Sequence, residues 1–343
     1  MRRRMRRCVL WAIAAIVVLA PAVFADGDDT PFTGFGPAPV RNYQPIQLIF
    51  LNLPVERARV TTRGDFDLHL ESVEINEIAT TQEPRIQSAL KFETNRTVIG
   101  GKYGVRPGLE LGIDLPFLSR FGGFLDPIID SVESAFGSVN PERSLYPNNS
   151  FGAFYVRDRQ NDVTLFAGHH EAFQLGDIWF SGKQEILESP GYPLISLRAA
   201  IKAPTGDTQK VFGSGHSDFG LGFAAEYQAL SWLMLYGDLS GIFPVGPVAA
   251  EQLTLNPFVN EAVAAEAQVA RNLSLLLQQE LYTSPIHGTG TRLLDGTVVE
   301  ITGGANLRCG SLLLQLAFVE NVSGVLTSAD FSLMLRASYH HSP

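Results

Sequence analysis

The sequence predicts an all-β fold, a transmembrane antiparallel β-barrel of about 14 strands (range 12–16) with one amphipathic helix in a long loop. Three observations carry that prediction. Residues Asp218 to Val245 form two runs of strict alternation joined by a very tight turn, with one apolar wall and one small or polar wall. Short turns alternate with long Gly/Pro/polar loops along the chain, as in outer-membrane barrels, which turn tightly in the periplasm and loop widely outside. Beyond the N-terminus, the chain has no apolar run long enough for a membrane helix, so any membrane span must be made of strands.

The N-terminus sets the compartment. Arg2, Arg3, Arg4, Arg6 and Arg7 precede an apolar stretch from Val9 to Leu19, and Val23-Phe24-Ala25 supplies small residues at −3 and −1 of a cleavage site. Residues 1–25 therefore read as a secretory signal peptide, with the mature chain beginning at Asp26. Cys309 is then the single thiol left, which excludes an internal disulfide or a Cys-rich metal site. The formal charge of the whole chain is −9; removing those five arginines leaves 21 Lys+Arg against 35 Asp+Glu, or −14. That balance argues against nucleic acid, whose phosphates require clustered cations. Hydrophobic residues make up 45% and charged ones 18%, with 32 glycines, a composition that suits a barrel wall.

Residues 26–63 form a lead-in, of which Asp26 to Pro45 is rich in Asp, Gly and Pro. Within it, Ile46 to Leu53 is apolar on both faces and has the wrong parity for a wall strand. Either it folds inside the barrel or the strand count is off by one. The barrel itself spans 64–343. Phe66, Leu68 and Leu70 alternate with Asp67, His69 and Glu71, a less regular run covers Ala89 to Val105, and Leu109 to Leu115 alternates cleanly.

Phe117 to Ser150 breaks the rhythm. Asp126 before Pro127 is a helix start, Leu125, Ile128, Ile129, Val132 and Phe136 share one helical face, and Gly137 is a stop. This helix-bearing loop (Asp126, Pro127, Ile128, Val132, Phe136) is a candidate gate, or a surface loop covering the rim.

Runs at Phe151–Arg157, Val163–Gly168, Gly176–Ile186, Leu194–Ala203, the Asp218 hairpin, Val259–Ala270, Leu273–Thr283, Val298–Leu307, Leu312–Glu320 and Phe331–Tyr339 complete the fourteen. In the hairpin, Phe219, Leu221, Phe223 and Tyr227 face Leu235, Leu239 and Phe243, with Trp232 beside the turn. Such aromatic ends are the girdles of a membrane wall.

Three segments resemble an uncharacterised family of Gram-negative outer-membrane proteins, the domain-of-unknown-function family 3187. They are Gly36 to Leu48 (GPAPVRNYQPIQL), Gly122 to Ile129 (GGFLDPII) with its helix, and Arg198 to Asp207 (RAAIKAPTGD) followed by Gly213-Ser214-Gly215. The last also resembles barrels grouped as channels for aromatic or hydrophobic compounds, and is the less specific piece. The resemblance implies an outer-membrane barrel and brings no catalytic residue with it.

Among chemical candidates, Gly213-Ser214-Gly215-His216-Ser217 lacks the spacing of a nucleophile elbow, and His169-His170-Glu171 lacks a third ligand site. Charges on the inward faces are more telling: Arg198, Lys202, Asp218, Glu226, Asp238, Glu266, Glu280 and Arg336, with Lys202 expected opposite Asp218. They define either a charged constriction or paired side chains filling a narrow barrel. The sequence thus leads to the expectation of a passive channel or substrate-specific pore, needing no cofactor, metal or catalytic residue. Its partners would be outer-membrane lipids, small solutes and, during insertion, the barrel-assembly machinery. The alternatives are a barrel enzyme acting on lipids and a structural or assembly barrel whose loops bind partners.

Overall fold

The structure is a computed structural model that describes residues 32–136, 140–249 and 252–343. The expected signal peptide and the stop at Gly137 lie outside those residues. Fifteen strands form one antiparallel sheet: β1 (Phe66–Gln82), β2 (Ile86–Arg106), β3 (Leu109–Phe121), β4 (Ala153–Asp158), β5 (Val163–Ala167), β6 (Glu171–Leu175), β7 (Ile178–Leu187), β8 (Leu194–Ala203), β9 (Asp218–Leu230), β10 (Leu233–Pro244), β11 (Phe258–Ala270), β12 (Leu273–Tyr282), β13 (Val298–Cys309), β14 (Leu312–Asn321) and β15 (Phe331–His341). Among the described residues, no helix is long and apolar enough to cross a membrane.

Twelve of these strands close a ring. β1 pairs with β15 from Phe66↔His341 to Asn76↔Phe331, β2 pairs with β3, and β3 with β7, so no edge remains around the wall. The other three strands lie beyond the ring, whose twelve strands fall within the expected 12–16. Phe151–Arg157 and Val163–Gly168 alternate like wall strands, but they form β4 and β5 and pair onto Ile86–Lys91 of β2, outside the ring. Removing that hairpin takes fourteen to twelve and preserves the even parity. The reason is length. β1 and β2 run 17 and 21 residues, beyond the roughly 9–11 that cross a bilayer. Their overhang would leave an unpaired edge, which β4 and β5 cover on β2, while β6 pairs with Phe117–Arg120 of β3. β3 also continues to Phe121, so the rhythm breaks after that residue and not at Phe117.

The wall has the expected polarity. In β9, Phe219, Leu221 and Phe223 are exposed while Asp218, Gly220, Gly222 and Glu226 are buried. The hairpin register pairs Phe219 with Phe243 and Tyr227 with Leu235. Leu68, Leu70, Ile99, Leu111 and Leu239 extend the outward apolar band around the ring. Outward exposure of large apolar side chains over many strands is costly in water and neutral against lipid. Tight turns at 107–108, 231–232, 271–272 and 310–311 and the six-residue connection at 188–193 gather at one end, with the long loops and the short β1–β2 turn at 83–85 at the other. The tight-turn end is the periplasmic one in barrels of this class.

Eight strands enclose a space that side chains can fill, and sixteen leave an aqueous channel; twelve lie between. Here residues 32–63 occupy the interior. The segment starts at the tight-turn end, where the Phe32 amide donates to the Ser231 carbonyl (3.2 Å). It climbs along β10–β14, turns at a short 3-10 segment, Gln47–Ile49, and descends past β9, β8 and β7. It leaves at Gly64, whose amide donates to the Gly104 carbonyl (2.8 Å). A Cβ on Gly104 would run into the Thr62 carbonyl, so glycine is required for this close approach. Pro37, Pro39, Pro45 and Pro54 suit the segment because they hold it extended and have no N–H to satisfy away from a ladder. At the loop end, Ile46, Ile49, Phe50, Leu51 and Leu53 pack with Leu90, Phe92, Trp179, Ile242 and Leu293 in the largest apolar core.

The helix α1 (Asp126–Phe136) stands where the sequence places it. Its orientation differs from the amphipathic reading. Leu125 and Ile129 are buried, but Ile128 is 56% exposed. The side chains of Val132 and Phe136 lie outside the described ones. What docks the helix is Asp126, which is buried and accepts from Lys91 Nζ (2.5 Å), Asn76 Nδ2 (3.0 Å), Arg143 Nη1 (3.0 Å) and the Asn149 amide (2.7 Å).

Candidate functional site

An extended segment inside a barrel has backbone N–H groups and no strand to pair them with, and a buried orphan costs about 1–3 kcal/mol. The inward carboxylates meet this need. Glu266 accepts the amides of Phe35 and Gly36 (each 3.1 Å) together with Tyr236 Oη (2.5 Å), Ser274 Oγ (2.5 Å) and Asn306 Nδ2 (2.9 Å). Asp218 accepts the Leu51 amide (2.7 Å). Glu226 accepts the Ala58 amide (3.1 Å) and pairs with Arg57 (2.9 Å). Glu110 accepts the Thr61 amide (2.6 Å).

The cations do the complementary work. Lys202 sits opposite Asp218 in the β8–β9 register, bridges it at 3.0 Å and Asp177 at 2.9 Å, and donates to the Ile49 carbonyl (2.5 Å) and Ser214 Oγ (2.6 Å). Arg198 pairs with Asp238 and, at 2.8 Å, with Glu56 of the segment. Glu56 also meets Lys102 and, at 3.4 Å, Lys183, whose Nζ reaches Glu110 at 2.9 Å. Of the eight inward charges singled out in the sequence, Arg198, Lys202, Asp218, Glu226 and Glu266 thus touch residues 32–63 directly, and Asp238 does so through Arg198. The remaining two stay with the wall. Glu280 accepts from Gln278 (2.8 Å) and Thr302 (3.0 Å), and Arg336 pairs with Glu71 (3.0 Å).

Sequence reasoning missed Glu56, Lys102, Glu110, Lys183 and the Glu71–Arg96 pair (2.8 Å). Lys102 and Lys183 lie on irregular or glycine-interrupted runs, which hid their inward direction. Glu56, Arg57 and Arg59 were the available signal: three charges in a segment otherwise apolar or proline-rich. The Ser214 hydroxyl donates to the His216 carbonyl (3.0 Å) within its own loop, and Glu171 pairs with Lys210 (2.9 Å).

Below the apolar core, a cavity of about 420 Å³ remains between the segment and the wall. Its lining runs from Trp179 and Arg41 down to Ser311 and His340 near the tight-turn end. Arg41 and Arg96 both stack on the Trp179 ring, at 4.8 and 5.4 Å from its centroid.

A closed ring with an outward apolar band and polar interior defines an outer-membrane β-barrel. The chain belongs to the family DUF3187, described as a protein of unknown function, whose model matches residues 13–341. Among solved structures, it is similar to the COG4313 outer membrane channel from Pseudomonas putida F1, at 11% identity and a TM-score of 0.56, over 82% of this chain and 97% of that one. It is less similar to the KdgM porin (6% identity, TM-score 0.40, over 81% and 99%) and to a Pseudomonas aeruginosa FadL homologue (10%, 0.39, over 80% and 90%). No curated protein matches.

Proposed function

We propose that this chain is an outer-membrane channel for small solutes, in which residues 32–63 close the lumen and the inward charges govern passage by holding or releasing them. One observation carries this reading. The interior is filled by a separate stretch of chain, held to wall side chains by hydrogen bonds and ion pairs along its length and by apolar packing at the loop end. Polar latches of this kind are individually modest, about 0.5–1.5 kcal/mol net each and more for charged ones, so they can part while the strand ladder stays intact. The cavity supplies the periplasmic half of a path, and the apolar core around Phe50 closes the other half.

Conductance of the purified full chain in planar bilayers tests the proposal. Brief openings are expected, lengthened by Asp218→Asn, which removes the charge that binds Lys202 and the Leu51 amide. Silence of both proteins at every potential, with the barrel folded, would contradict it.

A further inference from the structure

Three arginines, Arg41, Arg96 and Arg336, line the cavity, and the last two share one carboxylate. Arg96 Nη1 (2.8 Å) and Arg336 Nη1 (3.0 Å) share the single carboxylate of Glu71. Arg41 lies over the same Trp179 ring as Arg96 and has no carboxylate partner. Its Nε and Nη2 donate to the carbonyls of Asn42, Gln47 and Phe50, while its Nη1 is buried without any hydrogen-bond partner. All three arginines line the cavity. A buried guanidinium N–H left unpaired beside another cation, Arg96, is costly, and an acceptor anion would satisfy it.

Resting on the channel reading above, we propose that this cavity binds a small organic carboxylate, its head group among Arg41, Arg96 and Arg336 and its carbon chain along the apolar lining. Carboxylate geometry matches the planar fork of arginine, which offers paired N–H donors. The room is adequate: about 420 Å³ lies within the roughly 300–1,000 Å³ of small-molecule sites. Leu53, Val98, Leu313 and Trp179 line the cavity and supply apolar surface that a bare phosphate would leave uncovered. The site also reconciles an acidic protein with an anionic ligand, because the positive charge is local to the cavity lining.

The test is calorimetric titration of the full chain in detergent near neutral pH with hexanoate, with its neutral analogue hexanamide, and with inorganic phosphate. Saturable hexanoate binding is expected, with hexanamide and phosphate each weaker by roughly tenfold or more. Arg336→Gln should weaken hexanoate by roughly tenfold, and Arg41→Lys should do so despite keeping its charge, because the fork is lost. Heat-modifiable migration in gels shows that each variant has kept its barrel, and the solvent-accessible Arg336 site gives a variant whose removal leaves Glu71 paired with Arg96. Equal binding of hexanoate and hexanamide, preference for phosphate, no saturable heat, or wild-type affinity in both folded variants would overturn the proposal. Binding in detergent does not depend on conduction. Hexanoate binding without openings would sink the channel and keep the site, whereas openings without binding would do the reverse.

Discussion

At the scale of single residues, the interior is a set of acceptors placed where an unladdered segment has donors. Glu266 shows the logic most fully, with two backbone amides and three side chains converging on one carboxylate. Glu266→Gln keeps the shape but loses the charge and one acceptor, leaving donors unsatisfied at about 1–3 kcal/mol. Hydrogen exchange at the Phe35 and Gly36 amides should accelerate by one to two orders of magnitude, by the factor of ten per 1.4 kcal/mol; unchanged protection there would show that Glu266 is not the latch. Asp126 supplies a second prediction. Burial alone would raise its pKa, but the Lys91 ammonium, the Asn149 amide and Asn76 outweigh it and hold the carboxyl below its usual value. With the folded pKa depressed, the stabilisation is complete above the ordinary carboxylate range near 4 and is lost as pH falls through the lower folded value. The α1 loop should therefore resist proteolysis from neutral pH down to about 4 and become cleavable only in stronger acid. Release already between pH 7 and 5 would contradict the assignment.

At the scale of elements, what was legible in the sequence followed from environments with two distinct faces. β9 and β10 have lipid on one side and the interior on the other, so their alternation, turn and register could be read residue by residue. The same regularity placed Lys202 across from Asp218. β2 was blurred because its upper end is buried on both faces, from Ser88 to Thr94, which erases the period of two. β4 and β5 were legible as strands and illegible as an appendage, since alternation reports a strand's faces and not its partner. The orientation of α1 was lost for a related reason: Asp126, as an anchor to Lys91 and Arg143, determines which face docks, and Ile128 is left outside. A prediction belongs to this scale. Phe223→Arg, on the outward face of β9, should destabilise the barrel by roughly 2–4 kcal/mol in urea unfolding from lipid vesicles if it sits near mid-bilayer. A neutral result would mean that this face does not meet lipid.

At the scale of the whole molecule, a twelve-stranded ring lies between barrels that side chains fill and barrels that leave an aqueous channel, and the chain fills it with residues 32–63. That segment runs from the tight-turn end to the loops and back, tying both ends of the lumen to one covalent element. The sequence marked Ile46 to Leu53 as unfit for the wall, yet the latches to β3, β8, β9 and β11 depend on contacts between residues up to 231 positions apart, which periodicity does not encode. The most direct measurement is planar-bilayer conductance of the chain lacking residues 32–63, compared with the full chain at equal potential. Closure by that segment predicts steady, large openings in the shortened protein and brief, rare ones in the complete protein. Indistinguishable conductance from two folded barrels would contradict it.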